Sequence, residues 1–122
     1  MRLSEAEWWV MNLVWETQPT EASAIIAHLA QKHSWSDATV KTMLHRLVKK
    51  GALAAEPVGK KYRYRAAVER AACIRSASRS FLDHVFGGDA APALLHLVKA
   101  SALTAEQVAQ LRKLLDAKKP KS

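Results

Sequence analysis

A helix-period run closed by glycine, a basic hairpin directly behind it and a leucine-rich second half predict a mainly α-helical fold with a small β-hairpin. Their order is that of a winged helix-turn-helix over residues 1–67 followed by a helical region over residues 68–122. The central run, residues 36–51, reads SDATVKTMLHRLVKKG. As a helix it puts Val40, Met43, Leu44 and Leu47 on one stripe. The opposite side carries Ala38, Lys41, Thr42, His45, Arg46 and Lys49, with Thr39 at its edge. Ser36 or Asp37 can cap the first turn, Lys49 and Lys50 suit the negative end of the helix dipole, and Gly51 can supply a left-handed stop. A forked arginine, lysines and short hydroxyls are the residue types that suit a DNA major groove. An ordinary surface helix would also be polar outside, so the flanking sequence decides.

Ahead of it, Ser4-Glu5-Ala6-Glu7 is a capping-box start. The helix that follows is apolar nearly all round: Trp8, Trp9, Val10, Met11, Leu13, Val14 and Trp15. Such a helix is buried on more than one side, and its tryptophans read as packing before they read as a ligand cage. Pro19 disfavours helical geometry at Gln18 and ends it. A second helix, opening near Thr20 or Glu21 and running to about Lys32, turns Ile25, Ile26 and Leu29 inward; His33-Ser34-Trp35 connects it to the central run. Two helices joined by a short turn, the second polar outside, form a helix-turn-helix. Two β-like runs follow, residues 53–56 and 62–66, around Pro57-Val58-Gly59-Lys60-Lys61. Tyr62 and Tyr64 alternate with Arg63 and Arg65, giving an aromatic face and a basic one. A basic-tipped hairpin in this place is a wing, residues 57–63, whose Lys60 and Lys61 would reach phosphates. A solvated surface hairpin is the plainer alternative.

The second half predicts three helices. Residues 68–86 space Ile74, Ala77, Phe81 and Val85 by turns before Gly87-Gly88-Asp89; residues 92–100 hold Leu94, Leu95, Leu97 and Val98. Thr104-Ala105-Glu106-Gln107 is a second capping box, opening a helix lined by Val108, Leu111, Leu114 and Leu115. This is more leucine than a tail needs. Each such side chain gains roughly 1.5–3 kcal/mol on burial, and a second copy of the chain is the obvious cover. Residues 118–122 form a basic, solvated end.

The chain has 122 residues, enough for one compact domain and an appendage, and 49% of them are apolar, which excludes wholesale disorder. Its net charge of +8 is uneven. Residues 36–65 hold eight Lys or Arg against two Asp or Glu, as a polyanion-binding surface requires. Cys73 stands alone, excluding an internal disulfide and a multi-cysteine metal site. No apolar run approaches a membrane span, and Glu5 and Glu7 interrupt any signal-peptide pattern, so a cytoplasmic location is expected. His28, His33, His45, His84 and His96 are scattered, with no HExxH, glycine-rich phosphate loop or Cys–His grouping. No cofactor, metal or catalytic residue is expected. The competing use of such a fold is a winged-helix protein-interaction module without sequence-specific DNA binding.

With these elements in order, LSEAEWWVMNLVW, WSDATVKTMLHRLVKKGAL and KKYRYRAAV resemble the penicillinase and methicillin-resistance repressor family, which also includes copper-operon repressors (the BlaI/MecI/CopY type). The likeness covers nearly the whole chain. Its most specific part is the T-V-x-T-x-x-x-R-L core of Thr39, Val40, Thr42, Arg46 and Leu47, taken with the tryptophan helix. The resemblance implies a homodimeric repressor whose winged-helix domain binds a palindromic, double-stranded operator and whose C-terminal helices form the dimer. Thr39, Thr42 and Arg46 match positions that touch DNA, and Lys60, Lys61 and Arg63 fall on the wing. Lys41, His45 and Lys49 complete the expected DNA face. Leu94, Leu95, Leu97, Val98, Val108, Leu111, Leu114 and Leu115 are the expected dimer contacts. Ala38 departs from the lysine of some relatives. The paired Cys-x-Cys motifs of the copper branch have no counterpart after Cys73. In the β-lactam branch a membrane-bound sensor pathway cleaves an Asn-Phe bond, and His96-Leu97 stands there instead. A sensor-linked protease as partner is thus implied only with altered specificity.

Overall fold

The computed structural model describes residues 1–121; Ser122, the last of the basic end, lies outside the described residues. Six helices and three strands run in the order α1 (Glu5–Thr17), β1 (Thr20–Glu21), α2 (Ala22–His33), α3 (Asp37–Lys50), β2 (Leu53–Val58), β3 (Lys61–Ala66), α4 (Arg70–Phe86), α5 (Ala90–Ala100) and α6 (Ala105–Ala117). They divide into two compact units, Met1–Arg79 and Ser80–Ser122, so the division falls inside α4 and not at the end of the hairpin, where residues 67 and 68 meet. The start of α4 belongs with the first unit: Trp15 Nε1 donates to the Val68 carbonyl at 3.0 Å, Arg70 Nε to Asn12 Oδ1 at 3.4 Å, and Cys73 is buried.

The first unit closes around side chains that recur at helical spacing. Val10, Met11 and Val14 of α1, Ile25 and Leu29 of α2, and Val40, Leu44 and Leu47 of α3 are buried together with Ala52 and Leu53. The three central positions on α3 lie four and three residues apart, the spacing that keeps one stripe on one core. The all-round apolar character of α1 resolves into this core and an aromatic flank. Trp9 stacks on His33 at 3.7 Å with parallel rings and meets Trp35 at 5.6 Å, locking α1 to the α2–α3 connection. That connection turns at Ser34, whose φ of +57° closes α2.

The hairpin differs from expectation in two ways. Both strands are longer, and the register pairs Val58 with Lys61, leaving a two-residue turn at Gly59-Lys60. Gly59 has φ +64°, the positive value a type II′ turn needs at its first central residue. Pro57 lies within β2, which is tolerated because β2 is an edge strand. The second difference is β1: Thr20 pairs with Tyr64 and Glu21 with Arg63, giving a three-stranded antiparallel sheet of order β1-β3-β2. The residues expected to open α2 are therefore strand, and the helix begins at Ala22.

One ion pair ties the start of α1 to the end of α3. Glu7 completes the capping box of α1 and is only 2% exposed. Lys50 Nζ, at the end of α3, donates to both its carboxylate oxygens at 2.7 and 2.9 Å and to the Arg2 carbonyl at 2.9 Å. Burial pushes the Glu7 carboxyl up, but hydrogen bonds from Lys50 and Ser4 outweigh it and hold the group below its ordinary value of 4.5. A depressed folded pKa contributes stability that is present above the unfolded value and lost as pH falls through the folded one. Lys50→Met should therefore cost about 2–3 kcal/mol at neutral pH, because it strands a buried carboxylate. The difference between variant and parent should shrink as pH falls toward and through 4.5, because burial without Lys50 favours the protonated carboxyl. Urea denaturation at neutral and acid pH measures both effects.

The second unit is built from helix signals already visible in the chain. Gly87 and Gly88 close α4 at φ +60° and +86°, Asp89 caps α5 through the Ala91 amide at 3.2 Å, and Thr104 and Gln107 form the capping box of α6. Its apolar side chains remain mostly uncovered: Leu94, Leu95, Leu97, Val98, Leu111, Leu114 and Leu115 are exposed, Val108 is half-buried, and only Ala93 among the described helix residues is fully buried.

Candidate nucleic-acid interface

Helix α3 is held at both ends. Ser36 Oγ accepts from the Thr39 amide at 3.1 Å, and Gly51, with φ +89°, returns its amide to the carbonyls of the last turn. Its inward stripe anchors it, with Met43 half-buried beside the core. Ala38, Thr39, Lys41, Thr42, His45, Arg46 and Lys49 are all exposed. Helical geometry sorts these into two ridges. Thr39, Thr42 and Arg46 follow one another at three- and four-residue spacing along the outermost line. Lys41 and His45, four apart, form the flank nearer the hairpin, where they share a hollow of about 370 Å³ with Tyr62 and Tyr64.

The hydroxyls on the outer ridge already have local partners. Thr39 Oγ1 lies 2.9 Å from Ser36 Oγ, and Thr42 Oγ1 donates back to the Ala38 carbonyl at 2.9 Å. Thr42 in this rotamer presents its methyl group and lone pairs, which suits a thymine methyl better than a phosphate oxygen. Among the described residues Lys41, His45, Arg46 and Lys49 make no side-chain hydrogen bond or ion pair within the chain, so their donors are free.

On the wing Lys60 and Lys61 are exposed at the tip. Arg63 lies on the basic face expected of it but is already paired there. Strand alternation puts it on the side of the sheet away from Tyr62 and Tyr64. There its Nη2 donates to Glu56 Oε1 at 2.6 Å, while Arg65 Nε stands 3.5 Å from the other oxygen. The hydrogen bond and charge of Arg63 hold the Glu56 carboxyl below the usual carboxylate range. Arg63 is thus neutralised within the sheet, with Glu21 opposite it on β1, and the free charge of the wing rests on Lys60 and Lys61. The alternation of tyrosine and arginine along β3 was legible in the chain, but which face turns toward α3 was not.

No group of three or more His, Cys, Asp or Glu placed to share a metal ion occurs among the described residues, and no described helix is long and apolar enough to cross a membrane. His96 and Leu97 lie within α5, where their backbone is helical.

A capped, rigid α3 with an exposed cationic and hydroxyl ridge, beside a lysine-tipped hairpin, defines a winged-helix DNA-binding protein. The penicillinase repressor family model matches residues 3–117. The methicillin resistance regulatory protein MecI of Mammaliicoccus sciuri is 30% identical over 116 residues, covering 95% of this chain and 94% of its own. The penicillinase repressor of Bacillus licheniformis is 30% identical over 115 residues, 94% of this chain and 90% of its own. The solution structure of monomeric Bacillus licheniformis BlaI in complex with the blaP half-operator superposes with a TM-score of 0.53 at 32% identity, covering 58% of this chain and 87% of that one. The chain belongs to the penicillinase repressor family. It is a transcriptional repressor of winged-helix type, and its family is not a class of enzymes.

Proposed function

We propose that the chain represses transcription as a homodimer on a palindromic operator, each subunit laying α3 in a major groove and its wing on the adjoining phosphates. The observation that carries this reading is the outer ridge of α3: exposed, anchored from beneath, and headed by an arginine with no partner among the described residues. Arg46 reads a base edge, Thr39 and Thr42 fit around it, and Lys41, Lys49, Lys60 and Lys61 neutralise phosphates. The BlaI complex with a half-operator supports the same use of this fold. The uncovered leucines of α5 and α6 support the dimer, since a two-fold interface would bury the same stripe from both copies. Repression needs occupancy alone, so an inducing signal that loosens this interface would release the operator. His96-Leu97, where a sensor-linked protease would act, is helical and must unwind to be cut.

Salt dependence tests the reading against a protein-contact module. With four free lysines per subunit, the logarithm of the operator association constant should fall against log salt with a slope of roughly −3 to −4 per subunit. A duplex selected by the protein from a randomised library should outcompete a scrambled one at each salt concentration. Weak binding that is equal for both duplexes would favour the protein-contact module.

A further inference from the structure

We propose that Tyr62 is a further DNA-contacting residue, its hydroxyl donating to a backbone phosphate that runs between α3 and the wing; this rests on the operator-binding reading above. The two tyrosines of β3 share a face but not a fate. Tyr64 packs against the core, where burial pushes its hydroxyl pKa up. Tyr62, two residues nearer the tip and paired with Pro57 at the sheet edge, is 54% exposed. Its hydroxyl makes no hydrogen bond among the described residues.

The hollow it borders has Leu44, Val48 and Ala55 as an apolar floor, and Lys41 and His45 of α3 form the opposite rim. An apolar floor with Lys41 and His45 on one rim and a neutral tyrosine hydroxyl on the other matches a deoxyribose–phosphate segment: sugar over the floor, phosphate oxygens toward the donors. Lys60 and Lys61 add positive charge at the tip beside Tyr62, and Arg63 and Arg65, tied to Glu56 on the other face, do not compete for that phosphate. Tyr62 therefore positions the strand laterally, while the Thr39–Thr42–Arg46 ridge reads bases.

Because the contact is neutral, its loss has a signature that losing a lysine does not. Tyr62→Phe in the full chain should weaken binding of the library-selected duplex by roughly tenfold per bound subunit. The slope of log affinity against log salt should not change, whereas Lys61→Met should lower its magnitude by about one per subunit. Scanning that duplex with single methylphosphonate linkages should find one phosphate per half-site at which Tyr62→Phe costs nothing further. If the parent chain prefers the selected duplex and Tyr62→Phe binds it as tightly at every salt, the contact does not exist and the operator reading stands. If the parent chain shows no sequence preference, both fall. A uniform loss with no methylphosphonate position coupled to Tyr62 would also overturn the proposal.

Discussion

Replacing Leu111 and Leu115 together by aspartate should yield a folded monomer that holds its operator at least a hundredfold less tightly than the parent chain. The two residues are one turn apart on α6 and are 37% and 61% exposed, with Leu114 widening the same apolar stripe. A two-fold interface contains each of them twice, so the double variant removes four leucines. Only the surface still exposed can be covered, about two leucine equivalents over both copies, so at roughly 1.5–3 kcal/mol each the burial loss is about 3–6 kcal/mol, to which the cost of placing four carboxylates against apolar surface is added. A nanomolar dimer is held by about 12 kcal/mol and a micromolar one by about 8, so either would dissociate at working concentrations. Operator binding falls with it, because the second half-site is then met at bulk concentration and loses a linkage advantage of about 10²–10⁴. Sedimentation equilibrium at micromolar concentration and gel shifts on the selected duplex measure the two effects. All four tryptophans, Trp8, Trp9, Trp15 and Trp35, lie in the first unit, so unchanged tryptophan emission certifies that the winged domain is intact. A variant that stays dimeric with parental affinity would place the interface elsewhere.

What the chain reveals by inspection is what local rules control. The ends of α3 follow from Ser36 and Gly51, and both capping boxes follow from their four-residue patterns, because a cap is settled by neighbours in sequence. The inward stripe of α3 was equally legible, since its period is fixed by the helix. Cross-strand facts were not. A loop spanning 57–61 leaves Glu56 and Arg63 with no defined partnership; the two-residue turn at Gly59-Lys60 puts them opposite one another and draws Arg63 away from solvent. Strand β1 is two residues long, too short for alternation to show, and exists because β3 offers it a free edge. Lys50 read as a helix-dipole residue, yet its larger role is to neutralise Glu7 from the far end of α3. Family resemblance pointed to Arg63 as a wing contact by its position, but only the register exposes its partner. The leucines of α5 and α6 were visible as an excess that one copy could not bury, and they remain uncovered here.

Arg46→Ala should abolish preference for the operator while leaving the fold, the proposed dimer and most sequence-blind binding in place. The side chain is exposed and has no partner among the described residues, so its removal breaks nothing inside the domain, and the core stripe of Val40, Leu44 and Leu47 keeps the helix seated. Its guanidinium is the one fork on the outer ridge. Two parallel donors match the O6 and N7 acceptors of guanine, a contact that discriminates by about 1–3 kcal/mol. Two subunits make it about 2–6 kcal/mol, a loss of roughly thirtyfold to twenty-thousandfold at the selected duplex. The scrambled duplex should lose only the small electrostatic share of one cation per subunit. Arg46→Lys separates the two contributions: it keeps the charge, and with it the salt slope, but loses the planar fork, so discrimination should fall nearly as far as in the alanine variant. Were Arg46→Lys to bind the selected duplex like the parent, Arg46 would be acting as a point charge on phosphate. Base readout would then have to come from Thr39, Thr42 and the helix around them, whose hydroxyls are already engaged with Ser36 and Ala38.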